Sequence, residues 1–211
     1  MSAAASGSAF SVDRYLHRIG VSGPVGLPTL QLLGELQLAH LIRVPFENLH
    51  AFHRRGVRTD IDWSYPKIVD SARGGWCFEL NGLQVVAGAR AAIPRRARID
   101  MHEQGFTLTE LMPGNDGVSA WEPQLRVGFE PKQNSDFERR STYLQTEPGL
   151  SWTERAFATR ALDADGSRVT LRMDVLRERD GVDEYRESPV APSEWSELLL
   201  RYFGLVDGNV R

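Results

Sequence analysis

Apolar positions recur with helical spacing through the first 93 residues of this 211-residue chain and with strand-like spacing over much of the remainder. Val12 to Ile19 carries one apolar face, and Leu30, Leu33, Leu36, Leu38, Leu41 and Ile42 form a broad stripe that predicts a second helix. Thr29 stands where that helix needs an N-cap, after the breaks at Pro24, Gly26 and Pro28. Tyr65 to Asp70 reads as a short helix, and Leu80, Leu83, Val85, Val86 and Ala87 begin an apolar, Ala-rich helical run. Residues 94–131 read as short strands with a turn at Pro113-Gly114-Asn115-Asp116-Gly117. Residues 132–150 suggest a connecting helix. Val169, Leu171, Met173 and Val175 alternate, so Phe157 to Arg179 predicts a hairpin around Asp163-Ala164-Asp165-Gly166. Ser193 is the expected cap of a last helix, Glu194 to Phe203, which ends at Gly204.

The pattern divides the chain into a tail (1–11), a helical domain (12–93), a strand-rich part (94–131), a connecting helix (132–150) and a mixed α/β part (151–211). Hydrophobic residues make up 41% and charged residues 25%, the balance of a globular protein able to bury a core at this length. A net charge of -3 gives no electrostatic footprint for nucleic acid, and Arg95, Arg96 and Arg98 read as a solvated loop. No apolar run is long enough to cross a bilayer, so no membrane partner is expected. The single cysteine excludes an internal disulfide framework and suits a reducing, cytoplasmic setting. Met1 to Ser8 is small and polar, unlike a signal peptide, and reads as a disordered tail. No internal repeat is found.

The chemistry concentrates at Arg73-Gly74-Gly75-Trp76-Cys77-Phe78-Glu79-Leu80-Asn81, which holds the only thiol. Two glycines allow a tight approach, and the helical run that follows sets Cys77 in the first turn of a helix. There the backbone N–H groups and the helix dipole are expected to lower the thiol pKa and favour the thiolate, the form that attacks carbonyl carbon. Taken alone, a solitary Cys reads first as a small buried hydrophobe.

The surrounding motif decides between them. Arg-Gly-Gly-x-Cys-x-Glu-x-Asn resembles, at every fixed position, the signature around the nucleophilic cysteine of the arylamine N-acetyltransferase family. Val44-Pro45-Phe46-Glu47-Asn48-Leu49 is similar to that family's second hallmark, and Tyr15-Leu16-His17-Arg18-Ile19-Gly20 to its opening. Weaker likeness extends through Phe129-Glu130-Pro131, Asp136-Phe137-Glu138, Tyr143-Leu144-Gln145-Thr146 and Tyr202-Phe203-Gly204-Leu205. The resemblance implies an α+β fold with a cysteine-protease-like core, in which an N-terminal helical domain precedes a β-barrel, here reduced, and a C-terminal α/β part. It implies acetyl transfer from acetyl-CoA, as co-substrate, to an arylamine or hydrazine through an acetyl-Cys77 intermediate, with no metal. Arg73, Glu47, Gly74 and Gly75 are then expected to support the site, with Arg73 and Glu47 as an ion pair. Phe46, Trp76 and Trp152 are expected to line the acceptor pocket.

The same family uses a histidine and an aspartate beside its cysteine. The segment that carries them does not appear in this sequence, which passes from Ala91-Ala92-Ile93 to Pro94-Arg95-Arg96, matching the far side of the gap. Arg126-Val127-Gly128-Phe129 echoes the lost stretch but puts Arg126 at the aspartate position. His40 reads as a structural imidazole, His17 as part of the opening helix, and His50 and His53 as polar loop positions. His102, at a turn before the Phe106-Thr107-Leu108-Thr109 strand, is the candidate replacement base. Interior strands removed from a sheet leave cut edges, which close around the gap, pair in a homodimer or leave the fold marginally stable. Three readings follow: an acetyltransferase using a substitute base or water; a catalytically impaired homologue acting as a binding or interaction protein, which residue chemistry favours for turnover; and another thiol enzyme, such as a hydrolase.

Overall fold

The computed structural model describes residues 10–23, 25–27, 29–84, 97–113, 118–133, 135–181 and 184–207. The Met1 to Ser8 tail, Val85 to Ala87, Arg95, Arg96 and the Gly114 to Gly117 turn lie outside these residues. Two compact units form, residues 1–92 with 134–211 and residues 93–133.

In the first unit α1 spans Val12–Arg18, with Ser11 capping the N–H of Arg14. The α1 guanidinium of Arg18 donates to the carbonyls of Ile68 (2.9 Å), Arg43 (2.8 Å), Ala72 and Arg73, the last two beside the cysteine loop. Thr29 caps α2 (Leu30–Arg43) through the N–H of Leu32, as its position predicts. After β1 (Phe46–Glu47) and α3 (Leu49–Phe52), Asp60 caps α4 (Ile61–Tyr65). Pro66 brings no N–H, so α4 cannot continue in register, and Pro66–Asp70 winds instead as a π-helical turn. The single short helix predicted at Tyr65 to Asp70 is therefore the end of one element and a wider turn. The cysteine helix α5 spans Cys77–Gln84.

The rest of this unit contains α6 (Ser135–Thr146), α7 (Ser151–Glu154) and α8 (Trp195–Phe203), with strands β5 (Phe157–Ala161), β6 (Arg168–Arg172), β7 (Val175–Asp180) and β8 (Glu184–Pro189). The predicted hairpin is thus three strands with a fourth beyond it. Val169 and Leu171 are fully buried, whereas Met173 is 45% exposed, because the chain bends at Met173-Asp174 so that Leu171 can face Leu176. The sheet order is β1-β5-β6-β7-β8, so two residues of the helical region, Phe46 and Glu47, pair with Thr159 and Ala158. Asn48 fixes this junction. Its side chain donates to the carbonyls of Trp152 (2.9 Å) and Arg155 (2.8 Å) and accepts the N–H of Phe157 (2.9 Å).

Trp195, Leu199 and Phe203 recur every four residues on α8 and bury that face in one core cluster with Leu49, Val169, Leu171 and Leu176. The α8 N-cap is Glu194 rather than Ser193: no side chain caps the helix, and the Glu194 carboxylate takes the N–H of Ala191 instead (2.8 Å). Gly204 ends α8 in the left-handed region, at φ 67°, as its position predicts. A second core cluster joins Leu16, Ile19, Val44, Tyr65, Ile68, Val69 and Leu80, and so packs α1, the π-helical turn and α5 together.

The second unit is an antiparallel sheet of β2 (Ala97–His102), β3 (Gly105–Pro113) and β4 (Ser119–Gly128). Where the resemblance implies a reduced barrel, the described strands form an open sheet. Directly opposed residues share a face, which puts Ile99, Leu108 and Leu125 in one row and Met101, Phe106 and Val127 in the next. Ile99, Met101 and Leu125 on that face are all more than half exposed.

Candidate active site

The loop before Cys77 is laid against the Pro45–Glu47 segment. Gly75 donates its N–H to the Pro45 carbonyl (3.2 Å), and Glu47 donates its own to the Gly75 carbonyl (2.9 Å). A methyl group on Gly74 would run into the Pro45 carbonyl and lie 2.7 Å from Glu47 Cγ, and one on Gly75 would press on Glu79. Closeness of approach is thus what the glycine pair supplies. Trp76 follows as the residue before the helix, and Glu79, in the first turn, reaches back to accept its N–H (3.1 Å), half of a capping box.

Behind this turn sits a buried ionic cluster. Lys67 Nζ stands 2.9 Å from both carboxylate oxygens of Glu79 and 3.4 Å from Glu47 Oε1. Trp63 Nε1 donates to Glu79 (3.1 Å), and the Leu49 N–H donates to Glu47 Oε2 (2.6 Å). Glu47 and Glu79 are each 1% exposed, and Lys67 8%. Burial pushes the Glu79 carboxyl up, and the Lys67 ammonium opposes that rise. Sequence reasoning expects Arg73 as the partner of Glu47; the structure puts the Lys67 ammonium there, with Arg73 also buried in the loop. Lys67 and Trp63 escape sequence reasoning because a lysine in a short, irregular helical stretch carries no pattern that marks it as buried.

Cys77 is the first residue of α5, as expected, and is partly buried. The expected lowering of its pKa does not follow. Burial pushes the thiol up, the N–H groups of Phe78 and of Cys77 itself pull it down, and the Glu79 carboxylate adds to the rise, so the balance lies above the ordinary thiol value. The helix start is present, but desolvation outweighs it.

Phe46, Trp76 and Trp152 are brought together. Trp152 lies edge-on to both Trp76 (5.9 Å) and Phe46 (6.2 Å). Phe157 stacks on Phe46 (5.7 Å), and Phe78 joins Trp76 (5.6 Å) to Phe137 (6.4 Å). These rings form a continuous aromatic wall on both sides of Cys77 in sequence. A groove of about 370 Å³ opens beside Trp152 and Phe157, with Arg155, Thr170 and Arg172 on its rim. A larger cleft, about 710 Å³, is lined by His50, Trp63, Lys67, Arg73 and Leu205. Cys77 lines neither of them.

The histidines take different places from those expected in two cases. His50 belongs to α3 rather than a loop and is 3% exposed, edge-on to Trp63 at 5.9 Å. Burial, with the nearby Lys67 and Arg73, pushes its pKa down to about 3. His102 ends β2 rather than occupying a turn, and its Nε2 pairs with Thr107 Oγ1 across the strands (2.8 Å). His40 is the structural imidazole that sequence suggests: fully buried, bonded to the Tyr15 hydroxyl (3.0 Å), and pushed down to about 4 by burial and then by Arg18. His53 follows α3 and pairs with Asp207 (2.8 Å). Among the described residues, no group of three His, Cys, Asp or Glu side chains could hold a metal ion, and no helix is long and apolar enough to cross a membrane.

Comparison with known proteins agrees on one family. The N-acetyltransferase family model matches residues 29–87 and resumes at Pro94, running to 209. An arylamine N-acetyltransferase / N-hydroxyarylamine O-acetyltransferase of Salmonella typhimurium is 45% identical over 60 residues, 28% of this chain and 21% of that protein. A pineal gland arylamine N-acetyltransferase of Gallus gallus is 39% identical over 72 residues, 34% of this chain and 25% of that protein. The matched stretch therefore spans a quarter or less of the length of these curated relatives. In three dimensions the M. smegmatis arylamine N-acetyltransferase superimposes with a TM-score of 0.79 at 21% identity, covering 96% of this chain and 94% of that one. The Mycobacterium marinum enzyme, solved in complex with CoA, gives a TM-score of 0.77 at 18% identity over 94% and 93% of the two chains. A family model that spans both sides of the cysteine motif, over a fold shared with these structures, places the chain in the arylamine N-acetyltransferase family.

Proposed function

We propose that this chain transfers an acetyl group from acetyl-CoA to an aromatic amine or hydrazine through Cys77, slowly, because burial pushes its thiol pKa above the ordinary value. The observation that carries this reading is Cys77 as the first residue of α5, after the Arg73-Gly74-Gly75 loop and flanked in sequence by Trp76 and Phe78, whose rings meet at 5.6 Å. In the first step the Cys77 sulfur bonds to the acetyl carbon and the bond to the coenzyme A sulfur breaks, with coenzyme A leaving as a thiol. In the second, the amine nitrogen bonds to that carbon, the bond to Cys77 breaks, and the amine proton passes to a base or water. Phe46 and Trp152, both partly exposed, offer apolar surface to a flat acceptor, while Trp76, expected beside them, is fully buried and backs Trp152. Gly74, Gly75, Glu47 and Arg73 hold the loop that presents the thiol. His102 is the proposed base where one acts. No metal enters the scheme, and the cytoplasm is the proposed setting.

The catalytically impaired homologue is the second reading, favoured by the raised thiol pKa. In that case the aromatic wall binds a ligand that is not turned over. A homodimer, with Ile99, Met101 and Leu125 of each copy covered, is the proposed assembly, supported by their exposure. The test is steady-state transfer from acetyl-CoA to an arylamine by the wild type, Cys77→Ala and His102→Ala. Slow multiple turnovers lost in Cys77→Ala support acetyl transfer, and their loss in His102→Ala as well installs His102 as the base. Transfer by Cys77→Ala at the wild-type rate would exclude the cysteine route, and its absence throughout would favour the impaired homologue.

A further inference from the structure

Glu79 works in two directions at the cysteine. Its carboxylate takes the Trp76 N–H and so closes the start of α5, and the same negative charge raises the Cys77 thiol. Lys67, from the π-helical turn, is the counter-charge, 2.9 Å from both Glu79 oxygens and 3.4 Å from Glu47. At 8% exposure its attraction for Glu79 is screened little by salt. We propose that Lys67 is a positioning residue for Cys77: it holds Glu79 across the helix start and offsets that carboxylate's charge, so that the thiolate does not form against a bare anion. The inference rests on Cys77 as the proposed nucleophile and names a residue, outside the cysteine motif, that acts on it through Glu79.

The other charges around Lys67 fix the sign of the effect. Glu79 faces it from α5 and Glu47 from β1, while His50 on α3, Asp62 on α4 and Arg73 in the loop line the same cleft as Lys67. His50, with a pKa near 3, is neutral at neutral pH and adds no charge. Removing the Lys67 ammonium leaves Glu47 and Glu79 buried with one cation fewer, while the Trp76 N–H and Trp63 Nε1 donors still favour the ionised Glu79 carboxylate, the charge that raises the thiol. Deprotonation of Cys77 becomes harder.

The test is the rate of Cys77 alkylation by iodoacetamide across pH in Lys67→Met, Lys67→Arg and the double variant Lys67→Met/Glu79→Gln, with folding followed by circular dichroism. Alkylation needs neither acetyl-CoA nor an amine, so failure of acetyl transfer and failure of this inference are read separately. The expected result is a fall of about tenfold at pH 7 in Lys67→Met, equivalent to an upward midpoint shift of about one pH unit. Lys67→Arg and the double variant should each return to within about threefold of wild type. A lysine that only stabilised the fold would lower the melting temperature without moving the midpoint, and adding Glu79→Gln would restore nothing. A folded Lys67→Met alkylated within about twofold of the wild-type rate would overturn the proposal. Should Lys67→Met not fold, Lys67→Gln, which keeps an N–H donor, is read by the same criteria.

Discussion

A thiol at the start of a helix gains from nearby N–H groups, and the same position can cost it solvent. At Cys77 the second effect is the larger, and Glu79, two residues on, adds to it. Glu79 is required by the helix it caps, so the loop accepts a poorer thiolate in return for a defined geometry. Buried imidazoles show the same desolvation with the opposite sign of charge. His40 has a folded pKa of about 4 against 6.5 in the unfolded chain. The unfolded state then binds more protons between these values, so His40 contributes stability that is present above about pH 6.5 and lost as pH falls toward about 4. About 2 kcal/mol of that contribution is gone by pH 5. Urea unfolding at pH 7.5 and pH 5 should show a smaller difference for His40→Gln than for the wild type, by about this amount. Equal differences in the two proteins would remove His40 from the account.

At the scale of elements, the glycine pair is the feature with the least tolerance. Gly74 packs its Cα against the Pro45 carbonyl and Glu47, so Gly74→Ala forces apart the parallel contact between the cysteine loop and β1. Overpacking of this kind costs about 3 kcal/mol at its upper range, and thermal unfolding of Gly74→Ala should show a loss of that order. A melting temperature equal to wild type would mean the loop is not pinned there. Elements with local signals were legible in the sequence: Thr29 and Gly204 mark helix ends by backbone chemistry alone, and the Cys77 motif announces the start of α5. Elements that depend on distant partners were not. Phe46 and Glu47 become a strand only because β5, more than a hundred residues later, pairs with them. Lys67 is buried only because Glu47 and Glu79 converge on it from two other elements. The raised thiol pKa escapes sequence reasoning for the same reason, since the helix start is local and the burial that outweighs it is not.

For the whole molecule, the unit built from residues 1–92 and 134–211 carries the cysteine, the ionic cluster, the aromatic wall and two apolar cores. The sheet of residues 97–128 carries His102 and an exposed apolar face. The family's cysteine motif thus stands on a well-packed support, and the family match breaks between residues 87 and 94. On the reading proposed above, the chain works without the histidine and aspartate that the resemblance implies. On this account the first half of the reaction outlasts the second: thiolate chemistry depends on a base less than hydroxyl chemistry does, whereas passing the acetyl group on at speed requires a proton acceptor, typically worth 10²- to 10⁴-fold. The most direct measurement is the intact mass of the protein during incubation with acetyl-CoA alone, followed by addition of an arylamine. The account predicts slow accumulation of one acetyl group, mapped to Cys77 and missing in Cys77→Ala, which the amine then removes over many minutes. A protein that never gains the acetyl group, or gains it equally in Cys77→Ala, would contradict it.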